Sequence, residues 1–219
     1  DIVMENSKLA MAIAEKSVDS QLPGVSKGKI IDIAAKGMQD QIDWFNLPYA
    51  SNAKPAGPDA WQQLTVESEK VEVVDVSLDR AVVKATGKSI EIPNINVETS
   101  FNIEANQEWI TANTVFMNSG TELQTFWIGD AIDYDGSGQK SGAGGHPSIT
   151  LPYSNPQEFQ LSEPWIGMTG NDQQVYGLLY NGETNGLTGY GNGNWIMSQK
   201  QIGLAPGESY SFKRKIVAV

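Results

Sequence analysis

The chain has 219 residues, of which 40% are hydrophobic and 19% are charged, so it can bury a core within one domain. Its formal net charge of −11 opposes nucleic-acid binding, since that affinity comes from Lys and Arg that neutralise phosphates. The absence of cysteine excludes disulfides and thiolate chemistry, and no apolar run approaches the roughly 20 residues of a membrane-spanning helix. The acidity is typical of a solvated surface, with cation binding as the alternative.

The N-terminal region alternates apolar and polar residues with a period of two, which predicts strands. One such run covers residues 9–13, and a second lies within 28–37, which is bounded by glycines. A short helix over 9–16 is the alternative for the first run, because Ala and Glu favour helices. The stretch 41–61 contains three prolines and predicts a loop.

The middle of the chain shows the clearest alternation, in the runs 71–78 and 81–85 and then in the runs 95–103 and 110–116. Each pair of runs predicts an antiparallel hairpin. Within the first run two adjacent valines break the alternation, which indicates a β-bulge. A further strand is expected to begin at Leu123.

The last third contains two glycine-rich stretches, 133–145 and 181–194, which predict long exposed loops of the kind that often carry function. Between them, residues 175–180 are apolar on both faces, as in a buried central strand. The stretch 204–219 predicts a final strand, with Arg214 on the same face as four apolar residues.

These elements predict an all-β fold, a large two-sheet antiparallel β-sandwich formed by residues 1–219 as a single domain. The chain begins at Asp1, which predicts a mature secreted protein or a domain excised from a longer one. A composition rich in Asn, Gln, Ser and Gly, with few Lys, favours an exported bacterial protein, extracellular or periplasmic.

A family resemblance is carried by the segments 111–120 (TANTVFMNSG), 127–134 (WIGDAIDY) and 204–219 (LAPGESYSFKRKIVAV). They resemble galactose-mutarotase-like supersandwich domains, in particular the accessory domains of bacterial carbohydrate-active enzymes such as glucodextranase-like proteins. The resemblance implies a supersandwich on a carbohydrate-processing protein, with a concave face that binds sugar in some relatives. It also implies adjacent domains of a larger protein as partners.

Mutarotases of this fold act through a glutamate base and a histidine acid, generally with a further histidine nearby, whereas this chain has one histidine, His146. The catalytic pattern does not map onto the chain, so a non-catalytic module is the leading hypothesis. The alternative is a mutarotase-like or lyase-type sugar enzyme, in which His146 and a carboxylate such as Glu163 act as acid and base. Other carboxylates, among them Asp130, are expected at the surface.

Sugar binding needs exposed aromatic rings with amide and carboxylate groups nearby. The candidate ligand-binding residues are the aromatic residues of predicted loops: Trp44, Trp61, Trp165, Tyr190 and Trp195. Packing is the alternative for each of them, because Trp is largely buried on average. Trp109 and Trp127 lie on predicted strands and are expected in the core.

One stretch has the spacing of a calcium loop. Asp133, Asp135 and Ser137 place oxygen ligands at alternate positions, as in the first half of an EF-hand loop. The twelfth position is Gly144 rather than a bidentate Glu, so a plain Asp/Gly turn is the alternative. No cofactor other than calcium is expected.

Three functions remain open on the sequence alone. The first is a non-catalytic carbohydrate-associated module, for glycan binding or for packing between domains. The second is the sugar enzyme that uses His146, and the third is a calcium-stabilised structural or adhesin-like surface domain. Carbohydrate or polysaccharide is the expected partner, without nucleic acid and without a membrane span.

Overall fold

The structure is a computed structural model that describes residues 1–16, 26–38, 42–55, 65–134, 140–144, 146–149, 157–169, 174–181, 186–192 and 195–219. Within these ranges the side chains at 42–44, 134, 140–141, 146–149, 192 and 195 are not described. This described part contains no helix that is long and apolar enough to cross a membrane.

The regular elements of the described residues are all strands. Their bounds are β1 (Ile2–Glu5), β2 (Leu9–Ile13), β3 (Ile30–Ala35), β4 (Ile42–Ser51), β5 (Val66–Val76), β6 (Arg80–Ser89), β7 (Ile95–Glu104), β8 (Trp109–Asn118), β9 (Gln124–Tyr134), β10 (Lys140–Ala143), β11 (His146–Ile149), β12 (Gln157–Gln160), β13 (Trp165–Thr169), β14 (Val175–Tyr180), β15 (Thr188–Asn192), β16 (Trp195–Leu204) and β17 (Ser209–Ala218).

The strands form three antiparallel sheets. A nine-stranded sheet has the order β11-β10-β13-β14-β17-β8-β7-β6-β5, a five-stranded sheet has the order β12-β15-β16-β9-β4, and β1, β2 and β3 form a small third sheet. Residues from all three sheets contribute to one hydrophobic core. The predicted all-β sandwich is therefore confirmed, with a third small sheet added to the two large ones.

The inward face of the nine-stranded sheet is apolar across seven strands, because the register aligns one apolar residue from each. This row consists of Ala81, Ile103, Ile110, Ile216, Leu178, Ile166 and Ala143. The five-stranded sheet packs against this face, and Phe116 and Phe126 meet edge to face with ring centroids 6.1 Å apart. Burial of such side chains is the main favourable contribution to folding.

The hairpins of the middle region are confirmed. β5 pairs with β6, and the register shifts between Val73 and Asp75, where the adjacent valines indicated a bulge. β7 pairs with β8 from Ile95 to Ile103 without a shift. The N-terminal run over 9–13 is a strand, not the alternative helix.

The prediction of a loop over 41–61 is wrong for the first half of that stretch, since β4 occupies Ile42–Ser51. Pro48 lies where the register between β4 and β9 shifts, between Asn46 and Tyr49. β4 is also the edge strand of its sheet. A bulge in an edge strand tolerates proline, because no ladder hydrogen bond from its nitrogen is required there.

The two glycine-rich stretches are also not loops throughout. The first contains β10 and leads into β11, which begins at His146, and the second contains β15. The expectation that 175–180 is buried on both faces is wrong as well, because Val175 and Leu179 are 40% and 42% exposed. Small residues hide strands from sequence reasoning, since they supply no apolar alternation.

Candidate functional site

Three glycines lie side by side on the outward face of the nine-stranded sheet, on the adjacent strands β10, β13 and β14. The register pairs Gly142 with Gly167 and Gly167 with Gly177. A Cβ atom on Gly167 would lie 2.9 Å from the Tyr176 carbonyl oxygen, and one on Gly177 would lie 3.1 Å from Val217 Cγ2. Three glycines in a row therefore leave a depression where side chains would otherwise stand.

This depression is a groove of about 540 Å³, called here the glycine groove. Its volume lies within the range of roughly 300–1,000 Å³ that is usual for small-molecule sites. Five side chains on the same sheet face stand beside its glycines: Trp165, Thr169, Val175, Leu179 and Val217. Most of them are apolar, so the groove offers a hydrophobic surface to solvent.

Trp165 is held in place at one side of the groove. It begins β13, opposite Leu179 on β14. Its indole Nε1–H donates to Glu163 Oε2 at 3.0 Å, and its backbone N–H donates to the Glu163 carbonyl oxygen at 2.9 Å. Because both hydrogen bonds hold the residue, little further conformational entropy would be lost when a ligand stacks on the ring.

Polar side chains continue the outward face beyond the groove. In register order, Leu179 is followed by Lys215 and then by Thr111. The Lys215 ammonium lies 4.0 Å from the centroid of the Trp109 ring, a cation–π contact. Trp109 is half-buried on this face, so the expectation that it lies in the core is wrong.

Two of the other predicted aromatic residues lie in one row of the five-stranded sheet. The register pairs Asp133 with Trp44 on one side and with Trp195 on the other. The side chains of both Trp residues are among those that the structure does not describe. Trp61 lies wholly outside the described residues. The predicted sugar-binding residues whose strands are described are thus divided between two sheets, and Trp165 lines the glycine groove.

Tyr190 belongs to a small second apolar cluster on the five-stranded sheet. Its exposed fraction is 9%, and it packs with Tyr49, Ala131 and Met197, so little of its surface is open to a ligand. Trp127 was expected in the core. It packs against this second cluster, which is separate from the main core.

The predicted metal and acid–base residues are only partly described. Asp135 and Ser137 lie outside the described residues, and Asp133 is half-buried on β9. Within the described ranges, no group of three or more His, Cys, Asp or Glu residues could hold a metal ion. His146 pairs with Ala143, which follows the groove residue Gly142.

A buried ion pair joins the two large sheets. Asp130 on β9 and Arg214 on β17 have no exposed side-chain surface. Arg214 Nη2 donates to Asp130 Oδ1 at 3.0 Å, and Nη1 donates to Thr114 Oγ1 and to the Phe212 carbonyl oxygen, each at 2.8 Å. The expected surface position of Asp130 is wrong, and the pair lies within the core, away from the residues that line the groove.

Lys29 is a second buried cation near this pair. Its Nζ donates to Asn46 Oδ1 at 3.1 Å and to the Pro48 carbonyl oxygen at 2.7 Å. Burial lowers the pKa of Lys29 to about 7, against the opposing attraction of Asp130. Burial also raises the pKa of Asp130, against the stabilisation of its charged form by Arg214.

Sequence reasoning identified Trp165 but missed the three glycines that form the groove. The groove exists only once β10, β13 and β14 are in register, and a single sequence does not specify that register. One signal was present, since WIGMT and VYGLLY each carry a glycine among apolar residues. An isolated glycine within a strand often marks a close approach of another chain or a ligand.

No protein-family model matches the sequence, and no curated protein sequence matches it. Solved structures do match its fold. The A355E variant of the GH36 α-galactosidase AgaA from Geobacillus stearothermophilus gives a TM-score of 0.63 at 10% identity, over 100% of this chain and 40% of the enzyme chain. A galactose mutarotase related enzyme from Lactobacillus acidophilus gives a TM-score of 0.61 at 8% identity, over 100% of this chain and 97% of the other chain.

A candidate aldose 1-epimerase from Escherichia coli K12 gives a TM-score of 0.62 at 10% identity, over 99% of this chain and 98% of the other. The chain thus spans nearly the whole length of the two epimerase-type proteins but only 40% of the α-galactosidase. Identities this low carry the fold and not the activity. The chain therefore has the galactose-mutarotase-like sandwich fold that its resemblance implied.

Proposed function

We propose that the chain is a non-catalytic, carbohydrate-binding sandwich module of a larger bacterial carbohydrate-active protein, and that the glycine groove is its sugar site. The observation that carries this proposal is the position of Trp165, a half-buried indole held by Glu163 beside an open apolar groove. We also propose an extracellular or periplasmic location, which rests on composition alone.

The chemistry of the groove suits a pyranose ring. The faces of such a ring carry C–H groups that stack on an indole, and its edge carries hydroxyls that need polar partners. Trp165 and Leu179 offer the apolar surface, while Glu163 and Thr169 offer oxygens beside it. The glycines let the ring lie close to the sheet backbone.

The structural neighbours support this proposal without deciding it. AgaA is an α-galactosidase in which the matched region makes up 40% of the chain, and the other two neighbours are named for sugar epimerisation. A sandwich that belongs to a larger sugar-active protein is consistent with the first of these. Packing against an adjacent domain is then a second role for the module.

The test is affinity electrophoresis of the folded chain in gels that contain a panel of polysaccharides. Trp165→Ala should weaken binding about tenfold, the loss typical of one aromatic anchor. Trp127→Ala, on the other sheet, is the matched control and should bind as the parent does. If Trp195→Ala abolishes binding and Trp165→Ala leaves it intact, the sugar site lies on the five-stranded sheet and the groove assignment is wrong.

A second candidate is the sugar enzyme that uses His146 with Glu163 as acid and base. It is favoured by one observation, the close approach of Gly144 to the Glu163 backbone, where an added Cβ would clash with the Glu163 carbonyl oxygen. Mutarotation followed by polarimetry tests it. Turnover that is lost in His146→Ala would favour the enzyme, and the absence of turnover in the parent chain would leave the binding module.

The calcium-stabilised surface domain is the third candidate, based on Asp133, Asp135 and Ser137. Its test is the melting temperature with added calcium and with a chelator. A rise of several degrees with calcium that is absent in Asp135→Asn would support it, and an unchanged melting temperature would remove it.

A further inference from the structure

Two lysines lie on the outward face of β17, the strand whose Val217 lines the glycine groove. Lys213 and Lys215 are two residues apart and so share one face of the strand, while Arg214 between them is buried. In the register, Lys215 lies opposite Leu179, and Leu179 lies opposite Trp165. Lys215 thus shares a row with Trp165, the aromatic side chain of the groove.

These two lysines differ from two other lysines of the same sheet whose side chains the structure describes. Lys84 pairs with Glu98 at 3.1 Å, and Lys88 pairs with Glu69 at 2.9 Å. Among the described residues, neither Lys213 nor Lys215 forms a salt bridge with an acidic side chain. In a chain of net charge −11, this is a local excess of positive charge next to an apolar groove.

We propose that the ligand of the glycine groove is an anionic glycan whose sugar carboxylates bind Lys215 and Lys213. This inference rests on the proposed function and adds the class of sugar. A ring that stacks on Trp165 lies two strand spacings, about 10 Å, from the Lys215 backbone. Adjacent rings of one oligosaccharide can span that distance, so stacking and charge pairing act on the same molecule.

The contacts of Lys215 and Glu163 also set the direction of the bound chain. Lys215 contacts the Trp109 ring of β8, and its ammonium lies 4.0 Å from the ring centroid. Glu163 lies at the edge of the Trp165 indole and repels a ligand carboxylate. The acidic groups of the glycan are therefore expected to point away from Glu163 and towards β17.

The experiment is isothermal titration of the full chain at low salt with matched oligosaccharide pairs. Each pair is a trimer of galacturonate, glucuronate or mannuronate together with its carboxyl-reduced neutral form. At least one acidic trimer should bind about tenfold more tightly than its neutral form, and added salt should reduce that preference because it screens the charge pairing. Lys215→Gln should remove most of the preference, and Lys215→Arg should retain it.

Lys84→Gln is the matched control, because it removes the same charge from the same sheet face at a lysine that already has an acidic partner. It should leave the affinities unchanged. Equal affinity for the acidic and neutral forms, with binding that still depends on Trp165, would overturn the anionic ligand and leave the proposed function standing. Failure of every acidic trimer to bind would also overturn the anionic ligand, and the proposed function would fall with it only if the polysaccharide panel showed no binding either.

Discussion

Arg214 Nη2 and Asp130 Oδ1 lie 3.0 Å apart inside the sandwich and join the nine-stranded sheet to the five-stranded sheet. Arg214 Nε lies 2.9 Å from Asp130 Oδ2, so the guanidinium faces both carboxylate oxygens. Two charges without exposed surface are costly to bury unless each satisfies the other. The relative position of the two sheets is thus coupled to this one pair.

Removal of one partner should destabilise the chain strongly. We expect Asp130→Leu to lower the free energy of unfolding by about 3–5 kcal/mol, because it leaves the Arg214 charge buried and unpaired. The double variant Asp130→Leu/Arg214→Met should recover most of that loss. Urea denaturation measures both values, and a single variant within about 1 kcal/mol of the parent would contradict the structural role of the pair.

Lys29 should make stability depend on pH above neutrality. Its folded-state pKa of about 7 lies below its ordinary value of 10.5, so between these values the unfolded chain binds more protons than the folded chain. Its contribution to the free energy of unfolding therefore rises with pH across this window and is constant below it. Above about pH 10 the buried Tyr49 and Tyr180, whose pKa values burial raises, act in the opposite direction.

The measurement is urea denaturation between pH 7 and pH 9.5, with Lys29→Met as the comparison. The parent chain should gain more stability over this range than Lys29→Met does. Equal slopes in the two chains would show that Lys29 is not buried as a perturbed amine.

The hairpins and the sandwich could be predicted from the sequence because their signals are local. β7 and β8 follow each other directly, and each alternates cleanly. β4 and β15 were missed, since a proline in a bulge and a run of glycines conceal the alternation. Arg214 was placed on the apolar face, but its partner lies 84 residues away, a pairing that no local pattern reveals.

The candidate site was predictable only in part, for the same reason. Trp165 and Glu163 are neighbours in sequence, and the aromatic residue was identified by its type and its setting. Gly142, Gly167 and Gly177 lie on three strands and form a groove only through the register of those strands. Register depends on the packing of the whole sheet, so the shape of the site follows from the fold.

Filling the groove should abolish ligand binding without loss of the fold. Gly177→Leu places a side chain in the groove, and only Val217 Cγ2, at 3.1 Å from the new Cβ, must shift slightly. We expect at least a tenfold loss of oligosaccharide affinity by titration. Gly203→Leu is the control, because a Cβ there meets nothing closer than 3.7 Å and the site is on the other sheet. Equal affinities in the two variants would show that the ligand binds elsewhere.

Glu163 should contribute to sugar affinity partly because it holds the Trp165 ring in place. Glu163→Gln keeps an oxygen that accepts from the indole N–H and should retain most of the affinity for a neutral oligosaccharide. Glu163→Ala frees the ring, so binding must order it again, and affinity should fall several-fold. Titration of both variants measures these affinities. A similar loss of affinity in the two variants would show that the charge of Glu163 matters and not its hold on the Trp165 ring.

The most direct test of the central claim is the amide chemical shifts of Gly142, Gly167 and Gly177 during titration with a bound oligosaccharide. If the glycine groove is the sugar site, these three amides shift with a common dissociation constant, and the shifts are lost in Trp165→Ala. If they stay fixed while amides around Trp44 and Trp195 shift, the sugar binds the five-stranded sheet and the account is wrong.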